Sequence, residues 1–231
     1  INSSPSFYFC TGDTITLSAD TANAIIDLRY GSTVTSYSSE YNLLPPGWFA
    51  YQILGAPNVF PAYGDISFAW ASLNTDDQRE HIQLAYTNPA PINFIDIYET
   101  YNPGAVDTVY VKNPNTGLFE VVYTATASPQ PSVARKLHVT FPLTSFPVSE
   151  IRIALNSPAV PDWNEIDAVG IGLEQTYLWS TGATTSSISV DSGGYYGLIV
   201  SNGLCQSSST VILVNESSTP YSWYTDMDHD G

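Results

Sequence analysis

A strand-forming segment near the start of the chain has no partner strand beside it in the sequence. Phe9 to Ala19 holds one alternating strand, Thr14 to Leu17, and a single strand cannot form a sheet. Four further short strands are predicted only far downstream: Tyr177 to Ser180, Ser186 to Val190, Tyr195 to Val200 and Ser209 to Val214, with a hairpin turn at Asn202-Gly203. We therefore expect the two segments to form one β-sandwich, interrupted by a long insertion.

Cysteine and tryptophan follow the order Cys10, Trp179, Cys205 in these two segments. Together with the opening C-T-G-D, the run Y-L-W-S-T-G-A-T-T-S-S-I and the closing N-G-L-C, this order resembles the Ig-like repeats of giant surface proteins from Bacteroidota. The resemblance implies an Ig-like sandwich made of residues 1–25 and 174–216, a disulfide between the two cysteines, and an inserted domain over residues 26–173. The alternative for the cysteines is two unrelated buried thiols.

The charge of the chain excludes several classes of partner. It has 22 acidic and six basic residues, a net charge of −16, so we expect no binding to nucleic acid or anionic membranes. No apolar run is long enough for a membrane helix, and we expect no membrane insertion. Two cysteines in an acidic, lysine-poor chain are typical of an exported protein with one disulfide. Calcium is the expected cofactor.

The inserted segment is rich in strand patterns separated by turn residues. Seven of them are R-E-H-I-Q-L-A-Y, I-N-F-I-D-I-Y-E-T-Y, T-V-Y-V-K-N, F-E-V-V-Y-T-A-T-A, K-L-H-V-T-F, S-E-I-R-I-A-L-N and N-E-I-D-A-V-G-I-G. They predict an antiparallel jelly roll of about eight strands. The order of W-x-A-x-x-x-L-G-A-P, A-W-A-S, I-x-x-I-D-I-Y and E-I-D-A-V resembles the discoidin (coagulation factor 5/8 type C) family. The fold class is thus an all-β Ig-like sandwich interrupted by a discoidin-like jelly roll.

The discoidin resemblance implies a calcium ion near the start of the fold. Carried over by motif, its ligands are Asn58 and Asp65 in the loop after Leu54, and Glu165 in the last strand. The longer loop G-A-P-N-V-F-P-A-Y-G-D replaces the usual short A-x-D-G loop of the family. The alternative is that these three residues cap turns and end a strand.

Exposed aromatic rings beside amides or carboxylates are the usual sugar-binding groups. The candidates here are Trp48, Tyr63, Asp162, Trp163 and Asn164. For the two tryptophans the alternative is packing under a long loop. Trp70 and Trp179 are predicted to be core residues, because both motifs bury the ring in the families they resemble.

The end of the chain, residues 217–231, is predicted to be a linker and the start of a calcium-binding repeat. It contains D-x-D-x-D-G, in which alternate carboxylates point toward one ion: Asp226, Asp228 and Asp230. The remaining ligands of such a loop are missing, so the site is partial. The alternative is an acidic tail.

No arrangement for catalysis stands out, so we do not expect an enzyme. The resemblances imply a segment of an exported adhesin at the bacterial cell surface, outside the outer membrane, with type 9 secretion and gliding motility as its context. Its partners would be a glycan or cell-surface polysaccharide, and neighbouring repeats of the same chain. Two alternatives stay open: an accessory carbohydrate-binding module of a secreted polysaccharide-degrading enzyme, and a structural spacer without a ligand.

Overall fold

The structure, a computed structural model, describes residues 7–19, 25–42, 47–201, 205–208 and 211–217. The predicted Asn202-Gly203 turn and the tail carboxylates Asp226, Asp228 and Asp230 lie outside these ranges. The chain separates into two compact units. We call Ile25–Glu174 the middle unit, and the described parts of Ile1–Ala24 and Gln175–Gly231 the flanking unit.

The described ranges are all-β, with seventeen strands and two short 3-10 helices. The first two strands are β1 (Phe7–Cys10) and β2 (Ile15–Ser18). Those of the middle unit are β3 (Ile25–Tyr30), β4 (Thr33–Tyr37), β5 (Glu80–Ala90), β6 (Phe94–Tyr101), β7 (Val106–Lys112), β8 (Phe119–Thr124), β9 (Arg135–Thr140), β10 (Val148–Leu155) and β11 (Glu165–Glu174). The last six are β12 (Thr176–Trp179), β13 (Ser187–Val190), β14 (Gly194–Tyr196), β15 (Leu198–Ser201), β16 (Gln206–Ser208) and β17 (Ile212–Ser217). The 3-10 helices span Ala50–Ile53 and Ser157–Ala159. Neither of these helices is long and apolar enough to cross a membrane.

The middle unit is a jelly-roll sandwich of two antiparallel sheets. One sheet has the strand order β4-β5-β10-β7-β8 and the other β3-β11-β6-β9. Alternate residues of each strand point into the space between the sheets. Ile151 and Ile153 of β10, in the first sheet, and Ile95 and Ile97 of β6, in the second, therefore belong to one continuous core. Burial of each such side chain contributes about 1.5–3 kcal/mol.

The strands predicted in the insertion are confirmed. The seven apolar segments form β5 to β11, and β10 shows why the prediction worked, since its buried and part-buried residues alternate along most of the strand. Two further strands precede them, so the unit has nine strands and not about eight. One is β4, a strand rich in Ser and Thr, in which only Val34 packs against the core.

Strand pairing brings several long loops to one end of the middle unit. Leu155 at the end of β10 pairs with Glu80 at the start of β5 and with Val106 at the start of β7. Glu165 at the start of β11 pairs with Tyr101 at the end of β6. The loop residues 38–42, 47–79, 102–105 and 156–164 therefore meet here. We call this end the loop end.

The flanking unit has three small sheets, with strand orders β1-β17-β14, β12-β15-β16 and β13-β2. Trp179 is buried, as predicted, and its indole N–H donates to Thr185 O at 2.9 Å. Tyr196 and Leu198 join the same core on either side of Gly197, where the predicted strand is split into β14 and β15. The Ig-like identity of this unit stays a prediction.

The two cysteines both belong to the flanking unit. Cys10 ends β1 and Cys205 immediately precedes β16. Both residues are exposed, which argues against the alternative of two buried thiols. The structure does not show a bond between them, and their pairing stays a prediction.

Candidate functional site

A pocket lined by aromatic rings lies at the loop end of the middle unit. Its cavity volume is about 60 Å³, and it is partly open to solvent. The residues that line this aromatic pocket are Tyr41, Trp48, Asp65, Ala71, Trp163 and Glu165. Glu165 and Ala71 are buried and form its inner wall, whereas Asp65 is exposed at its rim.

Backbone pairing within the long loop holds two sides of the aromatic pocket together. Tyr41 and Trp48 face each other in an isolated antiparallel bridge. The Ala71 segment lies next to both, because Tyr41 N donates to Ala71 O at 3.0 Å and Ala71 N donates to Trp48 O at 3.3 Å. A second bridge joins Trp70 to Ile166, next to Glu165 in β11. The loop is thereby fixed against the strand that carries the buried carboxyl group.

The three rings of the aromatic pocket contact one another edge to face. Tyr41 lies between the tryptophans, with ring centroids 5.3 Å from Trp48 and 5.6 Å from Trp163 and interplanar angles of 88° and 80°. This geometry is favourable for aromatic pairs. The indole N–H of Trp163 donates to Ser72 O at 3.1 Å, but the N–H of Trp48 is buried and has no hydrogen-bond partner. The pocket therefore contains a donor that is not used inside the protein.

The backbone at Trp163 is held in place by polar side chains. Asp162 adopts the left-handed conformation, with φ of 74°, which costs free energy outside glycine and persists only where the surroundings enforce it. Its N–H donates to Asp76 Oδ2 at 3.0 Å, and its own Oδ1 accepts from Trp163 N at 2.9 Å. Asn102 Nδ2 donates to Trp163 O at 3.1 Å. These bonds fix the ring before any ligand arrives.

Glu165 is the buried polar group of the aromatic pocket. Its side chain is 1% exposed. Oε2 accepts a hydrogen bond from Ile66 N at 3.3 Å, and Oε1 has no partner. Burial raises the pKa of this carboxyl to about 9, with a further contribution from the neighbouring Asp65 carboxylate, while Ile66 N–H and the adjacent Trp48 indole act in the opposite direction. At neutral pH the group is therefore protonated.

A second buried carboxylate holds the loop that carries Asn58. Asp167, two residues beyond Glu165 in β11, accepts from three consecutive backbone N–H groups: Asn58 at 3.2 Å, Val59 at 3.1 Å and Phe60 at 2.8 Å. Hydrogen bonds to charged groups are among the stronger ones in proteins. This loop is thus anchored to the sheet by a side chain of the protein itself.

The structure brings some of the sequence-predicted ligand residues into the aromatic pocket and places others beside it. Trp48 and Trp163 line the pocket and are half-buried. Tyr63 lies outside the lining; its hydroxyl donates to Asn102 Oδ1 at 3.2 Å. Asn164 is buried, accepts from Ser157 Oγ at 2.8 Å and donates to two backbone oxygens. These two residues, like Asp162, support the site and do not line it.

The structure brings two of the three calcium ligands predicted for the middle unit into the aromatic pocket. Asp65 and Glu165 meet in the aromatic pocket, but Asn58 lies in the loop bound by Asp167. A protonated Glu165 is also a weak ligand for a hard cation. Among the described residues, no group of three or more His, Cys, Asp and Glu side chains is placed to hold a metal ion. This donor set does not fit a calcium ion, and a metal here stays a prediction without structural support.

Two residues that matter here were not predicted from the sequence. Tyr41 follows a polar stretch, S-S-E-Y-N, and nothing in that pattern distinguishes it from other loop tyrosines. Asp167 could have been found. It belongs to the same E-I-D motif as Glu165, but alternation alone does not fix the face on which it lies, because the pairing of β11 with β6 is irregular between Glu165 and Ala168.

No protein-family model matches the chain. The F-box/LRR-repeat protein 4 of Bos taurus is 25% identical over 173 residues, which cover 62% of this chain and 28% of that protein. The chain thus spans less than a third of the length of that relative, and the identity is too low to assign a family.

Similar solved structures cover 61–65% of this chain. Chitosan-binding module 1 of a chitosanase/glucanase from Paenibacillus sp. IK-5 has a TM-score of 0.45 and 15% identity, over 61% of this chain and 94% of that one. The family 32 carbohydrate-binding module of Streptococcus pneumoniae EndoD has a TM-score of 0.40 and 11% identity, over 65% and 98%. The repair protein XRCC1, in its complex with the DNA polymerase β catalytic domain, has a TM-score of 0.45 and 17% identity, over 63% and 97%. Because these TM-scores are below 0.5, the similarity assigns no function.

Proposed function

We propose that the chain is a glycan-binding segment of an exported adhesin, and that the aromatic pocket binds one sugar unit of the glycan. Sugar rings have apolar faces that stack on aromatic side chains and hydroxyl groups that need directed hydrogen bonds. The pocket supplies both kinds of contact. The proposal also follows from the resemblance of the sequence to the discoidin family, because discoidin-like domains are usually binding modules.

The observation that carries the proposal is the pair of polar atoms left without partners between the rings. Trp48 Nε1 and Glu165 Oε1 are both buried, and neither makes a hydrogen bond of good geometry inside the protein, although the indole and the Asp65 carboxylate are neighbours of the Glu165 carboxyl group. A buried polar atom without a partner costs about 1–3 kcal/mol, so a fold tolerates two of them in one pocket at the expense of stability. A ligand with adjacent hydroxyl groups would satisfy both. Buried polar atoms that lack a partner inside the protein are characteristic of a site arranged to bind a ligand.

Binding to a glycan array, followed by calorimetry with the best ligand, tests the proposal. We expect Tyr41→Ala and Trp163→Ala to weaken binding at least about tenfold, which corresponds to about 1.4 kcal/mol. The matched control is Tyr195→Ala, because this tyrosine is exposed in the flanking unit. If wild-type protein binds no glycan, or if the control variant loses as much affinity as the pocket variants, the proposal fails.

The context of the binding unit belongs to the same proposal. In the adhesin, the flanking unit would be an Ig-like repeat of a cell-surface stalk next to further repeats of the same chain, exported by the type 9 route. The same pocket would serve an accessory carbohydrate-binding module of a secreted polysaccharide-degrading enzyme. Sequence on either side of the segment distinguishes the two: further Ig-like repeats support the adhesin, and a hydrolase domain supports the enzyme.

A further inference from the structure

The aromatic pocket is acidic and contains no basic side chain. Its two carboxyl residues are Asp65 and Glu165. All six basic residues of the chain contact other groups: Arg29 with Asp27, Arg79 with Asp107, Lys112 with Glu150, Arg135 with Glu99, Lys136 with Asp96, and Arg152 with Gln83. A chain with a net charge of −16 adds to the negative potential in this pocket. The electrostatics favour a ligand with a positive charge.

The walls of the pocket are suited to a cation as well. A positive group within about 6 Å of an aromatic ring is attracted to the ring face, most strongly by tryptophan. Two of the three rings here are tryptophans, and such attraction strengthens where water is excluded. A neutral sugar would gain the stacking energy alone. A sugar with a charged amino group would gain both terms.

The unfilled oxygen of Glu165 gives this cation a specific partner. Oε1 belongs to a side chain that is 1% exposed, lines the pocket and has no hydrogen-bond partner on this atom. None of the six basic side chains lines the pocket to compensate this buried carboxyl group. An ammonium group carries three donors and can contact Glu165 Oε1 while Asp65 lies at the rim. Glu165 is protonated at neutral pH, so it offers this oxygen as a neutral acceptor, and the negative charge among the residues that line the pocket is that of Asp65.

We infer that the sugar unit bound by the aromatic pocket is an amino sugar with a free, unacetylated ammonium group. This inference rests on the proposed function and specifies its ligand class. The sugar ring lies against the aromatic walls, and the ammonium group lies between the rings and the two carboxyl groups. An acetyl group on the nitrogen would remove the charge and place a methyl group against Glu165.

Three oligosaccharides that differ only at carbon 2 of each sugar test the inference. The probes are β-1,4-linked oligomers of glucosamine, N-acetylglucosamine and glucose of equal length, titrated by calorimetry at pH 6, where the amine is protonated. We expect the glucosamine oligomer to bind at least about tenfold more tightly than the other two. We also expect its Kd to rise with salt concentration, because screening weakens attraction at the rim.

Charge variants determine whether the carboxyl groups cause the preference. Asp65→Asn, which removes a charged carboxylate, should reduce the advantage of the glucosamine oligomer several-fold and leave binding of the glucose oligomer nearly unchanged. Glu165→Gln resembles the protonated carboxyl group and keeps an oxygen acceptor, so it should retain most of this advantage, whereas Glu165→Leu, which has no acceptor, should reduce it. Asp191→Asn, an exposed carboxylate of the flanking unit, changes the net charge equally and should have no such effect.

The outcomes separate this inference from the proposed function. Equal or tighter binding of the acetylated or glucose oligomer would overturn the amino-sugar inference and leave glycan binding standing. An equally large loss in Asp191→Asn would overturn it too, because the preference would then reflect net charge alone. If a lysine-containing peptide bound as tightly as the glucosamine oligomer, the pocket would recognise an amine and not a sugar, and the inference would fall. Absence of binding to all three oligomers and to the array would refute the proposed function itself.

Discussion

Replacement of Glu165 by glutamine should change how the stability of the protein depends on pH. The carboxyl group is 1% exposed, one of its oxygens has no partner, and its pKa is raised to about 9 from an ordinary value of 4.5. The folded protein therefore retains this proton over a pH range in which the unfolded chain has lost it. Glutamine resembles the protonated carboxyl group at every pH and has no proton to lose.

The sign and the size of the effect follow from the raised pKa. The stabilising effect of the protonated form is complete below about pH 4.5 and is lost as the pH rises through about 9. Within this window each pH unit lowers the free energy of unfolding by about 1.4 kcal/mol. Between pH 5.5 and pH 7.5 the wild-type protein should therefore lose about 3 kcal/mol through Glu165. Glu165→Gln should not show this loss.

Urea unfolding followed by tryptophan fluorescence measures this difference. Three of the five tryptophans, Trp48, Trp70 and Trp163, lie in the middle unit and report on it. EGTA in all samples keeps the comparison free of divalent ions. Other titrating groups contribute equally to both proteins, and a constant offset from the substitution does not affect the slope. If the free energies of unfolding of the wild-type protein and of Glu165→Gln changed in parallel over this pH range, within about 0.5 kcal/mol, the conclusion that Glu165 is buried and protonated would be refuted.

Three further predictions concern the loop anchor, the disulfide and calcium. Asp167→Asn should destabilise the middle unit by about 3 kcal/mol, or roughly 6–12 °C in Tm. The reason is that three backbone N–H groups lose a charged acceptor. A change below about 1 kcal/mol in the free energy of unfolding would contradict this role. Intact-mass measurement of oxidised protein after alkylation without reductant should show no modified cysteine if Cys10 and Cys205 are paired, and two alkylated thiols would disprove the pairing. Melting in millimolar calcium against EGTA should show no shift that depends on Glu165, since the described residues gather no metal site; a shift abolished by Asp65→Asn would show that the predicted calcium ion binds after all.

The strands of the middle unit could be predicted because each has a local signal. In β10 the large apolar residues Ile151, Ile153 and Leu155 alternate with the part-buried residues Arg152 and Ala154, and all three are buried in the core. Such a period of two arises from the geometry of a single strand and needs no knowledge of its neighbours. Trp70 was predicted as a core residue from its motif and is 1% exposed.

The aromatic pocket could not be predicted in the same way, because its members have no local relation. Tyr41 and Trp163 are 122 positions apart in the sequence, and they meet only after β4 and β10 have entered the same sheet and their loops have reached one end. The orientation of Trp163 depends further on the left-handed backbone of Asp162 and its bond to Asp76. Neither of these features leaves a pattern in the residues around it. Trp48 and Trp163 could be named as ligand candidates because they are loop tryptophans, and Asp65 and Glu165 were named only as calcium ligands.

Glu165 and Asp167, two residues apart on β11, differ in how far their side-chain oxygens are used within the fold. Asp167 accepts three backbone hydrogen bonds through its two oxygens, so its capacity is used within the fold. Glu165, two residues earlier, accepts one bond and keeps Oε1 buried and without a partner. If stability alone had determined both residues, Glu165 would make as many hydrogen bonds as Asp167 or would be replaced by an apolar side chain. A buried oxygen without a partner only costs free energy. The unfilled oxygen lies where three aromatic rings leave an opening to solvent, which is where a ligand would supply the missing partner.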